Sequence, residues 1–445
     1  MVNNLKKSYL RNNYRLTVST NSSILIECEF MQTTANKEHT LSAITAPLIE
    51  QIPFTARGDE LFIKIAEILD QQSEETRIAL KDVLDSFLKR MLKNQASDID
   101  LGGAGCNGRV WYRIFGDKRP DKKIPPFTVE ETDFLLVNIL VGSQLKKLIK
   151  DRNLDFSYGI ELDGGANQRF RADLYFDMEH LALNMRRIDN TIRPFKSLNV
   201  HPEVAKALSL KYYKYGLSLI TGITGSGKSS TLDTIIDANN RTVDSHIVVI
   251  ASPVELIHTP VRSVVRHREV GRDVESFKEG AIQALRQDPD IIVIGELRDP
   301  ETIMTALEIT DSGHKTFSTL HTSSAMDSID RILGEVPTEE QNRVRTRLAD
   351  VLTCVISQKL VPSLDGKRVL AKEVLIANSS VKAAIRNNNI GEIYQMLMEG
   401  SERGMNTLEQ DLKRLYTEGK ISKENAVNYS NNKTKILQLL SEVNY

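Results

Sequence analysis

Gly222-Ile223-Thr224-Gly225-Ser226-Gly227-Lys228-Ser229 is a complete G-x-x-x-x-G-K-[ST] phosphate loop. Its glycines let the backbone turn tightly enough for successive N–H groups to converge on one anion. The Lys carries a positive charge to the β and γ phosphates, and the hydroxyl after it is a ligand for Mg²⁺. The apolar GLSLIT before the loop supplies a strand. STLDTIIDAN after it supplies a helix whose N-terminus adds positive potential. Lys228 is thus the expected phosphate contact and Ser229 the expected metal ligand, with Ser230 completing the nucleotide-binding stretch.

Other residues could complete a site. In DPDIIVIGELRD, four apolar residues, Ile291 to Ile294, read as a buried parallel strand that ends at Gly295 and Glu296. A Glu at a strand end, taken alone, is an ordinary surface residue. Beside a phosphate loop, at the carboxyl end of a strand, Glu296 can hold the metal shell or polarise water. His321 follows FSTL and is placed in the same way, although a strand-end His is commonly just hydrogen-bonded structure. The arginine pairs Arg169/Arg171 in RFR and Arg186/Arg187 in NMRRI could neutralise charge on a transferring phosphate. Equally, they could form ion pairs on a solvated sheet face.

The elements that must position these residues are visible in outline. From Leu217 onward strands and helices alternate, the signature of a parallel α/β sheet, over residues 201–370. Residues 71–200 read as an α+β domain. A helix runs through SEETRIALKDVLDSFLKRMLKNQ from a start at Ser73, with Ile78, Leu80, Val83, Leu84, Phe87 and Met91 on one face. RVWYRIFG, RFRADLYF and LALNMRRI follow as strands, with one helix around Glu130 to Leu148, and RPFKSLNVHPEV is the linker. Residues 371–445 are mainly helical. Residues 1–70 form an N-terminal extension of unknown role, with two short strands in YRLTVST and SILIECEF.

Composition narrows the function classes. At 445 residues and 40% hydrophobic, the chain can build two or three packed domains. A net charge of -1 argues against a general electrostatic grip on nucleic acid or anionic membrane. The longest apolar run, Phe134 to Val141, is too short to span a bilayer, and no apolar core follows the basic N-terminus as in a secretory signal. Cys28, Cys106 and Cys354 form no C-x-x-C pair, which points to a reducing cytoplasm without zinc or disulfides.

The phosphate loop alone fits many ATPases and GTPases. RQDPDIIVIGELRDPETI followed by SGHKTFSTLHTSSAMDSIDRI resembles the secretion ATPase superfamily, and within it the PilT-type retraction ATPases of type IV pili. The second segment is similar to the histidine box of that family, with His314 and His321. ASDIDL, FSYGI, RFRADLYF and MRRI upstream resemble its PAS-like N-terminal domain, and VISQKLV, AKEVLIA and RGMNTLEQDL downstream its C-terminal helical region. The resemblance covers roughly residues 76–440.

The resemblance implies an α/β RecA-like P-loop core joined to the PAS-like domain. It implies an ATP-hydrolysing homo-hexamer in which ATP and Mg²⁺ sit at the domain junction. Such a motor works in the cytoplasm, docks on an inner-membrane pilus platform protein, and drives retraction, twitching motility or a related secretion step. Glu296, Glu255, His321, Arg186 and Arg187 are then the catalytic set, with Ser229 and Glu296 at the metal. Extension motors often carry a four-cysteine zinc insert; its absence here favours the retraction type, and secretion ATPases of the DotB kind, which also lack it, remain an alternative.

Two motifs depart from the family pattern. The acidic box, usually Glu-Asp-Pro-x-Glu, reads Ala251-Ser252-Pro253-Val254-Glu255. Ala cannot bind metal or orient water. The C-terminal Ala-Ile-Arg motif reads as Ser380-Val381-Lys382. These changes leave two functional classes: a hydrolysing motor, and a weakly hydrolysing nucleotide-binding partner of a second, paralogous ATPase.

Overall fold

The computed structural model describes residues 41–441, apart from residues 163 and 190. The two strands expected in YRLTVST and SILIECEF lie outside the described residues. The described residues open with helices α1 (Leu41–Ile49), α2 (Gly58–Asp70) and α3 (Glu74–Lys93). Strands β1 (Asp98–Gly102), β2 (Trp111–Ile114) and β3 (Asp117–Pro120) follow, then α4 (Val129–Asn138) and α5 (Gly142–Asp151). Strands β4 (Asn153–Glu161), β5 (Asn167–Asp177) and β6 (His180–Arg187) complete the N-terminal half. Its six strands form an antiparallel sheet in the order β3-β2-β1-β6-β5-β4.

Helix α3 starts where the Ser73 hydroxyl accepts a hydrogen bond from the Thr76 N–H, with Glu74 and Glu75 in the positive first turn. Leu80, Leu84, Phe87 and Met91 face the core as expected, whereas Ile78 is exposed. The single helix expected from Glu130 to Leu148 is two. The first is capped at Ile139, and the Gln144 side chain accepts the Val141 N–H at 3.1 Å, which starts the second. The boundary expected near residue 70 does not coincide with a break in packing. Leu41, Leu48, Phe62 and Ile65 of α1 and α2 share one hydrophobic cluster with Leu84, Phe134 and Phe170.

Past the linker come α6 (Pro202–Leu208), β7 (Gly216–Thr221), α7 (Lys228–Thr242), β8 (His246–Ala251) and β9 (Val264–Glu269). Next are α8 (Phe277–Ala284), β10 (Ile291–Ile294), α9 (Pro300–Asp311), β11 (Lys315–Leu320), α10 (Ala325–Gly334) and α11 (Gln341–Val351). Strands β12 (Leu352–Pro362) and β13 (Arg368–Ile376) close the sheet. Its order is β13-β12-β7-β11-β10-β8-β9, parallel except for the β12–β13 hairpin.

Every residue of β7, β10 and β11 is buried, because helices cover both faces of the sheet. Leu219, Ile292 and Ile294 feed one cluster; Ile220, Ile291, Val293 and Phe317 feed the other, together with Ile235 and Ile236 of α7. Beyond β13 the chain is helical as expected, in α12 (Ser379–Arg386), α13 (Ile393–Glu399), α14 (Leu408–Thr417), α15 (Lys423–Tyr429) and α16 (Lys433–Ser441). VISQKLV and AKEVLIA, expected in that helical region, instead run along β12 and β13, because their apolar residues pair into the sheet. Leu412 of α14 and Ile436 of α16 pack on Val361 and Ala371 of the hairpin. Among the described residues, no helix is long and apolar enough to cross a membrane.

Candidate functional site

Strand β7 ends at Thr221, and the phosphate loop turns back through positive φ at Gly222 (150°), Gly225 (78°) and Gly227 (89°). A Cβ at Gly222 would lie 2.4 Å from the Ser226 hydroxyl and 2.5 Å from the Gln358 carbonyl oxygen, so only Gly fits. The buried Lys228 Nζ donates to the carbonyls of Gly222 at 2.8 Å and Ile223 at 3.2 Å. Burial lowers the Lys228 pKa, and the Glu296 charge opposes that shift. Gln358 of β12 donates its Nε2 to the Ser226 carbonyl at 2.9 Å and braces the loop from the sheet.

The Ser226 hydroxyl is buried with no hydrogen-bond partner among the described residues. Ile223, Thr224, Gly225, Ser229 and Ser230 are exposed around it. An orphan donor, a Lys held only by backbone oxygens and the start of α7 at Lys228 together suit a polyphosphate. Gln358 was not visible as a site residue in the sequence, because its partner is 132 positions away.

Glu296 leaves the carboxyl end of β10. Its carboxylate accepts from the Arg298 Nε at 2.7 Å and lies 3.1 Å from the His321 Nε2. The parallel register pairs Ile294 with Ser318, so Glu296 and His321 emerge from adjacent strands on one edge. Burial and then the Lys228 charge lower the His321 pKa, against the opposing pull of Glu296, so the imidazole is mainly neutral at pH 7. His314 does not join this group. It precedes β11 at the opposite end of the sheet, where its Nδ1 contacts the Ser312 hydroxyl at 3.0 Å.

Glu255 lies in the loop after β8. Burial raises its pKa, opposed by the Arg171 charge at 3.7 Å and, less, by the Ser229 hydroxyl nearby. The phosphate loop and the acidic box therefore do meet. Ala251 continues the inward series of Ile247 and Val249 on the sheet face covered by α7. Arg171 also pairs with Asp155. Arg186 turns to Asp98 at 2.8 Å, within its own sheet, and the exposed Arg187 makes no close ion pair among the described residues, although its charge acts on nearby Asp189.

Two readings from sequence need adjustment. Ala384-Ile385-Arg386 stands unaltered in α12, one turn beyond the altered form expected at Ser380-Val381-Lys382. Ala384 and Ile385 are buried and Arg386 pairs with Asp350, so this motif carries no departure. Glu269 was missed altogether. It closes β9, is 3% exposed, and accepts from the N–H groups of Ser157 at 3.2 Å and Val254 at 3.1 Å. The signal available was the one that singled out Glu296, a carboxylate at the end of a strand.

The family model described as Type II/IV secretion system protein matches residues 72–442. The chain belongs to that family. Among curated members it is 38% identical to the type IV pilus retraction ATPase PilT of Pseudomonas aeruginosa, over 75% of this chain and 94% of that protein. It is 37% identical to a twitching motility protein of Neisseria gonorrhoeae, over 75% of this chain and 86% of that one. It is 32% identical to the type IV pilus ATPase PilU of Pseudomonas aeruginosa, over 77% and 87%.

Among solved family structures, the pilus retraction motor PilT with bound ADP superposes with a TM-score of 0.70 at 36% identity. That alignment covers 79% of this chain and 98% of PilT. The Legionella pneumophila ATPase DotB, at TM-score 0.61 and 24% identity over 78% of this chain and 94% of its own, shares the fold alone.

Proposed function

We propose that this chain is an ATP-hydrolysing subunit of a homo-hexameric motor that drives retraction of type IV pili. The observation that carries this reading is a complete phosphate loop in a chain 38% identical to a type IV pilus retraction ATPase along 94% of that protein. In this reading residues 201–370 with the rest of β13 are the RecA-like core, residues 71–200 with α1 and α2 the PAS-like domain, and the residues after β13 the C-terminal helical region. The motor works in the cytoplasm on an inner-membrane platform protein, with no role for nucleic acid or zinc.

Each residue then has a task. The loop N–H groups and Lys228 hold the phosphates, while Ser229 and Glu255 reach the metal position together with Glu296. Mg²⁺ held by Ser229, Glu255 and Glu296 would supply charge neutralisation at the phosphate. Glu296, oriented by Arg298 and by the neutral His321, positions and polarises the attacking water. Arg187, free of an internal ion pair, is the cation offered to phosphate, with Arg186 braced behind it by Asp98.

Ala251 and Ser252 favour a second reading, a weakly hydrolysing partner of another motor ATPase. Phosphate release by the purified chain at saturating ATP and Mg²⁺, with Glu296→Gln as the control, decides between them. Measurable turnover that Glu296→Gln removes supports the motor. ADP binding without turnover selects the partner subunit, and absence of ADP binding refutes both.

A further inference from the structure

The Val254 peptide, one residue before Glu255, is held on both sides. Its N–H donates to Glu269 at 3.1 Å and its carbonyl accepts from the Arg169 Nη2 at 2.8 Å. Neither partner is in the acidic box: Glu269 ends β9 and Arg169 comes from the antiparallel N-terminal sheet. Ser157 on β4 joins the two, since Arg169 Nη2 donates to its hydroxyl at 2.5 Å and its N–H donates to Glu269 at 3.2 Å. The Ser157 hydroxyl also donates to Glu269. The carboxylate is buried, and the Arg169 guanidinium lies 3.9 Å from it, so the charge is compensated without solvent.

We propose that Arg169, Ser157 and Glu269 form a clamp on the Val254 peptide that positions Glu255 beside Ser229, so that the N-terminal sheet sets the Mg²⁺ dependence of the site. This rests on the nucleotide reading above and gives Arg169 a task other than sensing phosphate. Adjacent Cα atoms are about 3.8 Å apart across a planar peptide, so fixing Val254 fixes where Glu255 begins. With Ala251 and Ser252 in the box, Glu255 is its remaining carboxylate, and its placement has no substitute there. Arg169, Ser157 and Glu269 are positioning residues, because they act on the site through Glu255.

The test uses the full chain and the variants Ser157→Ala, Ser157→Thr and Glu269→Gln. ADP binding is measured by calorimetry across a Mg²⁺ titration, and hydrogen exchange of the Val254 amide by mass spectrometry. Removing an outer partner of a metal ligand commonly costs about 10-fold in metal dependence. Ser157→Ala and Glu269→Gln are therefore expected to raise the Mg²⁺ half-saturation by about tenfold while metal-free ADP affinity stays within about twofold. The Val254 amide should exchange faster in both, and Ser157→Thr, which keeps the hydroxyl, should behave as wild type. An unshifted Mg²⁺ half-saturation, unchanged exchange, or an equal loss of metal-free ADP affinity overturns the clamp. A wild-type chain that binds no ADP at all overturns the nucleotide reading and the clamp together, which keeps the two failures distinct.

Discussion

Lys228 holds its ammonium against the carbonyl oxygens of its own loop, so bound phosphate replaces contacts that already exist. Removing it leaves a short apolar side chain in a loop fixed by glycines and by Gln358, and the fold should survive. Lys228→Ala is expected to weaken ADP affinity on the order of 10²-fold, read by calorimetry, with the melting temperature unchanged. In the function proposed here Glu296 polarises the attacking water, so its loss falls on hydrolysis more than on ADP binding. Glu296→Gln should lower single-turnover hydrolysis by at least about 10²-fold while ADP affinity holds. The side chain of Ala251 faces α7, so a longer acid there points towards the start of the phosphate loop helix. Ala251→Glu with Ser252→Asp should raise the single-turnover rate by about tenfold at saturating Mg²⁺. A fall instead means that the added charges repel Glu255, whose charged carboxylate burial already disfavours.

At the scale of elements, β11 carries an unusual residue for a strand buried on both faces. Lys315 is fully buried at its start, donates to the Ala207 carbonyl at 2.7 Å, and lies over the ring of Phe317. Burial lowers its pKa from 10.5 to about 8, against a small opposing effect of Cys354. The folded state thus binds this proton less readily than the unfolded chain. Stability is reduced most below about pH 8 and recovers as pH rises towards the unfolded value near 10.5. Lys315→Met removes that cost of roughly 3 kcal/mol and loses one hydrogen bond of about 1 kcal/mol. Urea unfolding at pH 7 should show a gain of about 2 kcal/mol, and the rise in stability between pH 8 and 10 should flatten. The same strand explains the fate of the two histidines. A strand advances about 3.3 Å per residue, so two residues flanking β11 serve opposite edges of the sheet.

For the whole molecule, the exposed Arg187 makes no close ion pair among the described residues and ends β6, in a sheet whose Arg169 and Arg171 reach the acidic-box loop. Such a group suits a site completed by another subunit. Light scattering with Mg²⁺ and a non-hydrolysable ATP analogue should report a hexamer, and Arg187→Ala should lower turnover by more than it lowers affinity. A strict monomer at high protein concentration with analogue bound contradicts the ring.

The phosphate loop, the strand before Glu296, the Ser73 cap and the parallel character of residues 217–320 were all legible in the sequence. Each is written in a short contiguous window, where glycine torsions, side-chain periodicity and capping chemistry act between near neighbours. The tertiary structure decided what distance along the chain hides. It placed α1 and α2 in the N-terminal core, split the helix after Asn138, sent His314 away from His321, and paired Arg186 with Asp98. It also set Gln358 under the phosphate loop and Ser157 against Glu269, 112 positions apart. Those contacts depend on strand order and register across two sheets, and a pairing register follows from the packing of whole faces, which no local window contains.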